Sequence, residues 1–475
     1  MVHYDEYRCH VLDMYRAAVA AVEPKAAVRR GLRREGTTLH ITDLAYDLNQ
    51  GRVFVVSVGK AALPMAAAAV EVLGDTLTAA VVIGKHGVSG PAEPVLSGNP
   101  AVQLFSGSHP VSDMDSVQAT AVVMQMVSEA GPADLVLCLI SGGASALLTQ
   151  PRIPLADWQV LIQELLASGC TINELNTVRR RLDEVKGGGL AQRAAPARCI
   201  SLILSDVVGN PPAVIGSGPT VISHDTAQDA LDVLDRFDIE HRLPKTTYLR
   251  IERSLQETEA AAVIPPVISD VRIVGDVRQA ATAALTKAVQ LGFVAQILSV
   301  HLEGEAREVG RVAAAIAKDT FPGRCFIFGG ETTVTMRGAG RGGRNQELAL
   351  SAVLALEGHA HLVVASLATD GEDGPTSAAG AVVSGETAVC ARQHNLVPER
   401  FLADNDSFGF FERLDAATAA ADTETAVSPC PPTLVTVGST GTNVNDLLFI
   451  LTYPHPDSEP HPVGNQTIVT TEDFA

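Results

Sequence analysis

Residues 329–347, GGETTVTMRGAGRGGRNQE, set six glycines and three arginines between an apolar run and a helical one. Cys325 to Phe328 reads as a strand and Asn345 to Leu356 as a helix, so the stretch is a strand-to-helix turn of an α/β fold. Glycine lets a ligand approach the main chain, and arginine offers a planar fork of donors to phosphate or carboxylate. The combination reads as an oxyanion cradle whose free amides point at a bound anion. Gly338, Gly340 and Gly343 also fit the G-x-G-x-x-G of a dinucleotide turn, with Asp370 27 residues further on. That turn packs tightly on its helix and expects its acidic residue after about 20 residues. Arginine-studded glycines suit a terminal phosphate in transfer better.

The rest of the chain bounds the chemistry. Its 475 residues predict two domains, placed at 1–250 and 251–475 with a hinge within 222–268. An apolar content of 46% with only 4% aromatic predicts cores of Ala, Val, Leu and Ile, as parallel sheets use. The formal charge of −19 repels nucleic acid and anionic membranes, so neither is expected as a partner. Seven cysteines without C-x-x-C spacing read as free thiols in a reducing compartment. The N-terminus lacks a basic start with an apolar stretch, and no run approaches the ~18 residues that span a bilayer, which predicts a cytoplasmic protein. A homodimer is left open.

Along the chain, Val53 to Val58 is a β-branched strand followed by Gly59-Lys60 and an alanine-rich helix. This is no P-loop, because Phe54 stands where glycine is needed and Ala61 where Ser or Thr is needed. Lys60 faces a phosphate or solvent; Lys85, after the next strand, reads as a solvated lysine. His109 before Pro110 is extended at a loop mouth, and Ser112 or Asp113 caps a helix. The strand Asp134 to Ile140 delivers Ser141-Gly142-Gly143-Ala144-Ser145-Ala146 at its carboxyl end, where parallel sheets bind ligands. Leu147 breaks the G-x-S-x-G elbow and disfavours a hydrolase. Thr171 to Lys186 is a helix whose Arg179, Arg180 and Arg181 either answer its dipole or reach the site. Asp206 and Asp370 each follow a strand, where a carboxylate can hold Mg²⁺ or take a proton. Val271 to Val274 is expected to open the second domain, 416–432 to be a mobile loop, and the tail from about 454 to fray.

Taken together, Gly59-Lys60-Ala61-Ala62, His109-Pro110, residues 141–146, Asn176 to Gly188, 205–209, 216–220, 329–333, 340–347, 369–374 and 440–446 resemble the glycerate 2-kinases of the MOFRL type over nearly the whole chain. Arg180, Arg181 and Asp183 depart from the family's helix pattern, and Ala368 replaces a common glycine. The resemblance implies a two-domain α/β protein, Rossmann-like in its N-terminal half and MOFRL in its C-terminal half, with the active site in the cleft between them. It implies transfer of the ATP γ-phosphate to the 2-hydroxyl of D-glycerate with Mg²⁺ or another divalent cation. Relatives labelled hydroxypyruvate reductase make an NAD(P)H-dependent reductase the alternative.

On this reading Lys60 and Arg344 neutralise the transferring phosphoryl group. Asp206 and Asp370 divide the roles of base and metal ligand between them. His109, Ser141, Gly142, Gly143 and Ser145 hold the acid, and Gly329, Gly330, Glu331, Gly340, Gly342, Gly343 and Asn345 line the nucleotide phosphates.

Overall fold

The computed structural model describes residues 2–87, 93–260, 267–421 and 431–455. Two six-stranded sheets dominate it, beside a small antiparallel meander of Leu32–Glu35, Thr38–Ile41 and Leu44–Asp47. The first sheet runs Val102–Gly107, Leu77–Lys85, Val53–Val58, Leu135–Ile140, Arg198–Leu204, Ile268–Gly275, with every pairing parallel. Its central strands are buried on both faces, which is why they are continuous apolar runs rather than alternating ones. Growth of the sheet reverses direction between Val53–Val58 and Leu135–Ile140, and ligands of open α/β sheets bind beyond the carboxyl ends of strands at such a reversal. Gly59-Lys60 and Ser141-Gly142-Gly143 occupy those ends.

The second sheet runs Val294–Leu302, Arg324–Gly330, Asp446–Thr452, Leu362–Ala368, Gly380–Ser384, Leu434–Val435. Its first pairing is parallel and the others antiparallel. Asp446 lies opposite Gly330 on one side and Ala368 on the other, so Glu331, Asp446 and Asp370 gather at one end of the sheet.

One expectation about the strands is corrected. Ile268–Gly275, expected to open the second domain, is the sixth strand of the first sheet, paired with Arg198–Leu204. The chain crosses only with the next helix, Val277–Leu291, which packs against the second sheet. The helix Tyr7–Ala21 also joins that sheet, where Tyr15 Oη donates to the Ala368 carbonyl (2.9 Å) and His10 Nδ1 meets Tyr453 Oη (3.0 Å). One apolar core, containing Val55 and Leu137 from the first sheet and Ile327 and Phe449 from the second, joins the two halves.

The stretch expected to hold the hinge carries three helices, and its residues 261–266 lie outside the described ones. Ala227–Arg236, Ile239–Arg242 and the helix Lys245–Ala260 share a core around Trp158 with Leu155–Ala167 and Ile172–Leu182. Residues 416–421, expected in a loop, continue the helix Ser407–Ala421; 422–430 and the tail beyond 455 lie outside the described residues. Among the described residues no helix is long and apolar enough to cross a membrane.

Candidate active site

The loops after the first sheet's central strands are zipped together. The Lys60 amide donates to the Gly142 carbonyl (2.8 Å), the Ser141 amide to the Val58 carbonyl (3.0 Å), and the Ala61 amide to Ser141 Oγ (3.1 Å). Gly59, at φ +125°, leaves the space that Ser141 Oγ fills. Ser141 therefore works as a strut, its hydroxyl turned into this zipper. Ser145 Oγ meets Ser217 Oγ at 2.8 Å, and Ser217 donates to Asn176 Oδ1 (2.9 Å), tying the loop to the helix Ile172–Leu182.

This framework gathers the polar groups. A methyl on Gly142 would lie 2.7 Å from Asp206 Cγ, so the carboxylate rests against bare backbone there. A methyl on Gly143 would lie 3.2 Å from His109 Cδ2 and 3.5 Å from Lys60 Cγ, which places His109 beside Lys60. Burial, followed by the charges of Lys60, Lys85 and Arg179, pushes the His109 imidazole down to about 4, so it is neutral near pH 7. None of the His109, Lys60, Lys85 and Arg179 side chains makes a hydrogen bond or salt bridge with the described residues. Three cations without a salt bridge among the described residues, around a neutral histidine, suit an anionic ligand.

The opposing wall comes from the second sheet. Arg344 is gripped by Asp446 at 2.5 Å and 3.0 Å and by Glu331 at 2.7 Å. Burial raises the pKa of Asp206, opposed by Lys60, with Asp370 raising it and Arg344 lowering it. Burial likewise raises Glu331, opposed by Arg344, while Asp446 and Asp206 raise it further. Asp206 and Lys60 from one sheet thus share a field with Glu331, Arg344 and Asp370 from the other.

The glycine-rich stretch differs from its expected form. Its amides are already bonded: those of Arg337 and Gly338 to Asn405 Oδ1 (2.6 and 3.1 Å), Ala339 to Asp404 Oδ1 (3.2 Å) and Arg341 to Asp406 Oδ1 (3.1 Å). The amides of Asn345 and Gln346, at the start of the helix Arg344–Leu356, bond the Asp373 carboxylate at 3.1 and 2.8 Å. The expectation of free amides is corrected for residues 337–341 and 345–346, which bond side chains and backbone of 404–406 and Asp373, whereas the amides of Gly342, Gly343 and Arg344 carry no hydrogen bond among the described residues. Gly338, Gly340 and Gly342 are glycines because the segment 404–407 lies against them, and Gly343 because Asp373 does. Gly329 abuts Val277, and Gly330 the Leu302 backbone. Asn345 is 1% exposed, and its Oδ1 accepts from Ser366 Oγ (2.6 Å).

Lys85 and Arg179 carry their charge to His109, though sequence reading left Lys85 in solvent and Arg179 undecided between the helix dipole and the site. Lysine is scarce in this chain, which was a signal for Lys85; Arg179 falls in the apolar stripe Leu175, Val178, Leu182, which was a signal for burial. Asp446 was passed over as part of a closing strand. Asp206 and Asp370 come within each other's field, but the one group of three close metal-ligating side chains among the described residues is elsewhere, at His86, Asp113 and Asp115. There Asp113 already caps the helix Met114–Ser128.

Comparisons with known proteins agree with this architecture. Residues 10–252 match a family model described as a domain of unknown function, DUF4147, and 324–446 match the MOFRL family. The chain is 39% identical to the D-glycerate 2-kinase of Thermotoga maritima over 92% of its own length and 96% of that protein's. It is 36% identical to the glycerate kinase of Homo sapiens over 92% of each. A crystal structure of glycerate kinase from Thermotoga maritima superposes with a TM-score of 0.79 at 35% identity, covering 94% of this chain and all of that one. With both halves matched in order along the chain, and relatives aligned over almost its whole length, the chain belongs to the MOFRL-type glycerate kinase family.

Proposed function

We propose that this chain transfers the terminal phosphoryl group of ATP to the 2-hydroxyl of D-glycerate, giving 2-phosphoglycerate and ADP. The reaction takes place in a cleft between the Rossmann-like first half and the MOFRL half. The observation that carries this reading is the shared field of Lys60 and Asp206 from one sheet with Glu331, Arg344 and Asp370 from the other. Phosphoryl transfer asks a protein chiefly for positioning and charge neutralisation.

Lys60, whose ammonium makes no salt bridge among the described residues, neutralises the transferring group from one side, and Arg344, oriented by Asp446 and Glu331, does so from the other. Asp206 takes the proton of the glycerate hydroxyl. Burial makes it a stronger base than a surface carboxylate, and Lys60 keeps it ionised. His109, neutral and unbonded, holds the acid by hydrogen bonding. Ser141 and Ser145 serve by fixing the loop, with Gly142 and Gly143 giving Asp206 and His109 their places. Gly340, Gly342, Gly343 and Asn345 build the nucleotide wall, and Gly329 and Gly330 carry the chain to Glu331 at its lip.

The carboxylates fit Mg²⁺, which takes one or two carboxylates and completes its shell with water and substrate phosphate; Asp206 and Asp370 would hold it. When bound, the cation supplies neutralisation of phosphate charge.

The test is to incubate the protein with ATP, Mg²⁺ and D-glycerate, and separately with NADH and hydroxypyruvate. ADP release that depends on glycerate, with NADH left intact, is expected. NADH oxidation without ATP would replace the kinase by a reductase.

A further inference from the structure

We infer that Arg179 is the residue that binds the carboxylate of the acceptor. This rests on the kinase reading above and adds a residue to it. Three consecutive arginines end the helix Ile172–Leu182, and they do different things. Arg180 pairs with Asp225 and donates to the Ala213 carbonyl at 3.2 Å, so it ties the helix down. Arg179 turns inward instead. It shares the helix's buried stripe with Leu175, Val178 and Leu182 and is 8% exposed, yet its guanidinium has no hydrogen bond or ion pair among the described residues.

The acidic group nearest in sequence is already matched. Asp183 accepts from Thr149 Oγ1 (2.5 Å) and the Val185 amide (2.9 Å) and is paired with buried Lys186 at 3.3 Å. A buried guanidinium without a counter-ion is costly to maintain, and strained or unmatched groups persist where a ligand completes them. Burial lowers its pKa to about 10, which still leaves it charged at neutral pH.

Its position argues for carboxylate over phosphate. Asn176, three residues earlier on the helix, joins Ser217 and Ser145 on the loop whose Gly143 touches His109 and Lys60. The influence of Arg179 falls on His109, whereas Asp206 answers to Lys60, Asp370 and Arg344. Arg179 therefore acts on the His109 side of the site, where the proposed reading puts the acid. A planar fork matches a carboxylate with two parallel hydrogen bonds. Holding the carboxylate there fixes the hydroxyl on the adjacent carbon relative to the anchor.

The experiment compares wild type, R179M and R179K with D-glycerate and with glyceramide, which keeps both hydroxyls but carries no charge. For R179M the KM for D-glycerate is expected to rise about 100-fold, with the KM for ATP within about threefold and glyceramide turnover at the wild-type level. The ligand-free Tm of R179M should rise, because a lone buried charge is removed while the stem's volume is kept. R179K, which keeps the charge without the fork, should fall between the two and decides the matter where R179M is too weak to assay. Unchanged KM for D-glycerate, or equal losses with both acceptors together with a lowered Tm, would overturn the assignment. A wild-type protein without kinase activity would overturn the functional reading itself.

Discussion

A single methyl at Gly142 tests whether the loop after Leu135–Ile140 places the Asp206 carboxylate. Gly142, unlike Gly143 with its φ of +87°, has no need of the left-handed region, so alanine there adds no backbone strain and acts by its bulk. The new carbon would sit 2.7 Å from Asp206 Cγ and closer still to Oδ2, where ordinary contact begins at 3.4 Å. The loop cannot give way easily, because the Gly142 carbonyl accepts from the Lys60 amide at 2.8 Å. The carboxylate has to retreat by about 1 Å, and a misplacement of that size at a reacting centre costs on the order of 10²-fold. We expect kcat of G142A to fall about 100-fold with little change in the KM for ATP. One methyl of overpacking typically costs about 1–3 kcal/mol, so the variant should still fold. The assay is steady-state ADP release at saturating substrates, with a thermal melt alongside. G131A is the control, since its methyl meets Asp134 Oδ2 at 3.7 Å in ordinary contact. A G142A rate within about threefold of wild type, in a folded protein, would refute the placement of Asp206 as the base.

Lys60→Ala and Arg344→Ala should each cost about 10² to 10⁴ in kcat. Their melts should differ: R344A strands the buried Asp446 carboxylate and the half-buried Glu331 and lowers Tm, whereas Lys60→Ala breaks no salt bridge among the described residues. Because Asp206 must be ionised to accept a proton and burial raises its pKa, kcat should fall as pH drops through an acid limb above the ~3.9 of a free aspartate. A pH–rate profile flat down to about 4 would contradict this. Asp373 is pushed up to about 7 by burial despite the amides of Gln346 and Asn345. Its folded form binds the proton more tightly than its unfolded form, so its contribution is full below about 4 and lost as pH rises through about 7. Urea midpoints of wild type and D373N across that range should differ by this slope.

Much of the site was legible because parallel strands announce themselves. Each is an apolar run; Lys60, Ser141 and Asp206 follow the ends of such runs, where ligands of α/β sheets bind, and Asp370 follows Leu362–Ala368, an equally apolar strand paired antiparallel on both sides. The strand-to-helix unit around the glycine-rich stretch was legible for the same reason. What covers that stretch was not, because Asp404, Asn405 and Asp406 reach it from about sixty residues away and look like a helix cap in isolation. The amphipathic stripe of Tyr7–Ala21 says that it is covered, without saying which sheet covers it. Ile268–Gly275 reads equally well as the last strand of one sheet or the first of the next, and only its pairing with Arg198–Leu204 decides. Arg179 was not separable from its neighbours: three arginines at a helix C-terminus suit the dipole as well as the site, and only burial distinguishes the inward one.

The central claim is a phosphoryl transfer to a specific oxygen, and the product of the reaction tests it most directly. Incubation of the protein with ATP, Mg²⁺ and D-glycerate, followed by ³¹P-coupled proton NMR of the product, distinguishes phosphate on the second carbon from phosphate on the third. The account predicts 2-phosphoglycerate from wild type and a drastic loss of that product with Lys60→Ala. Phosphate on the third carbon, or no glycerate-dependent product from a folded wild-type protein, would contradict it.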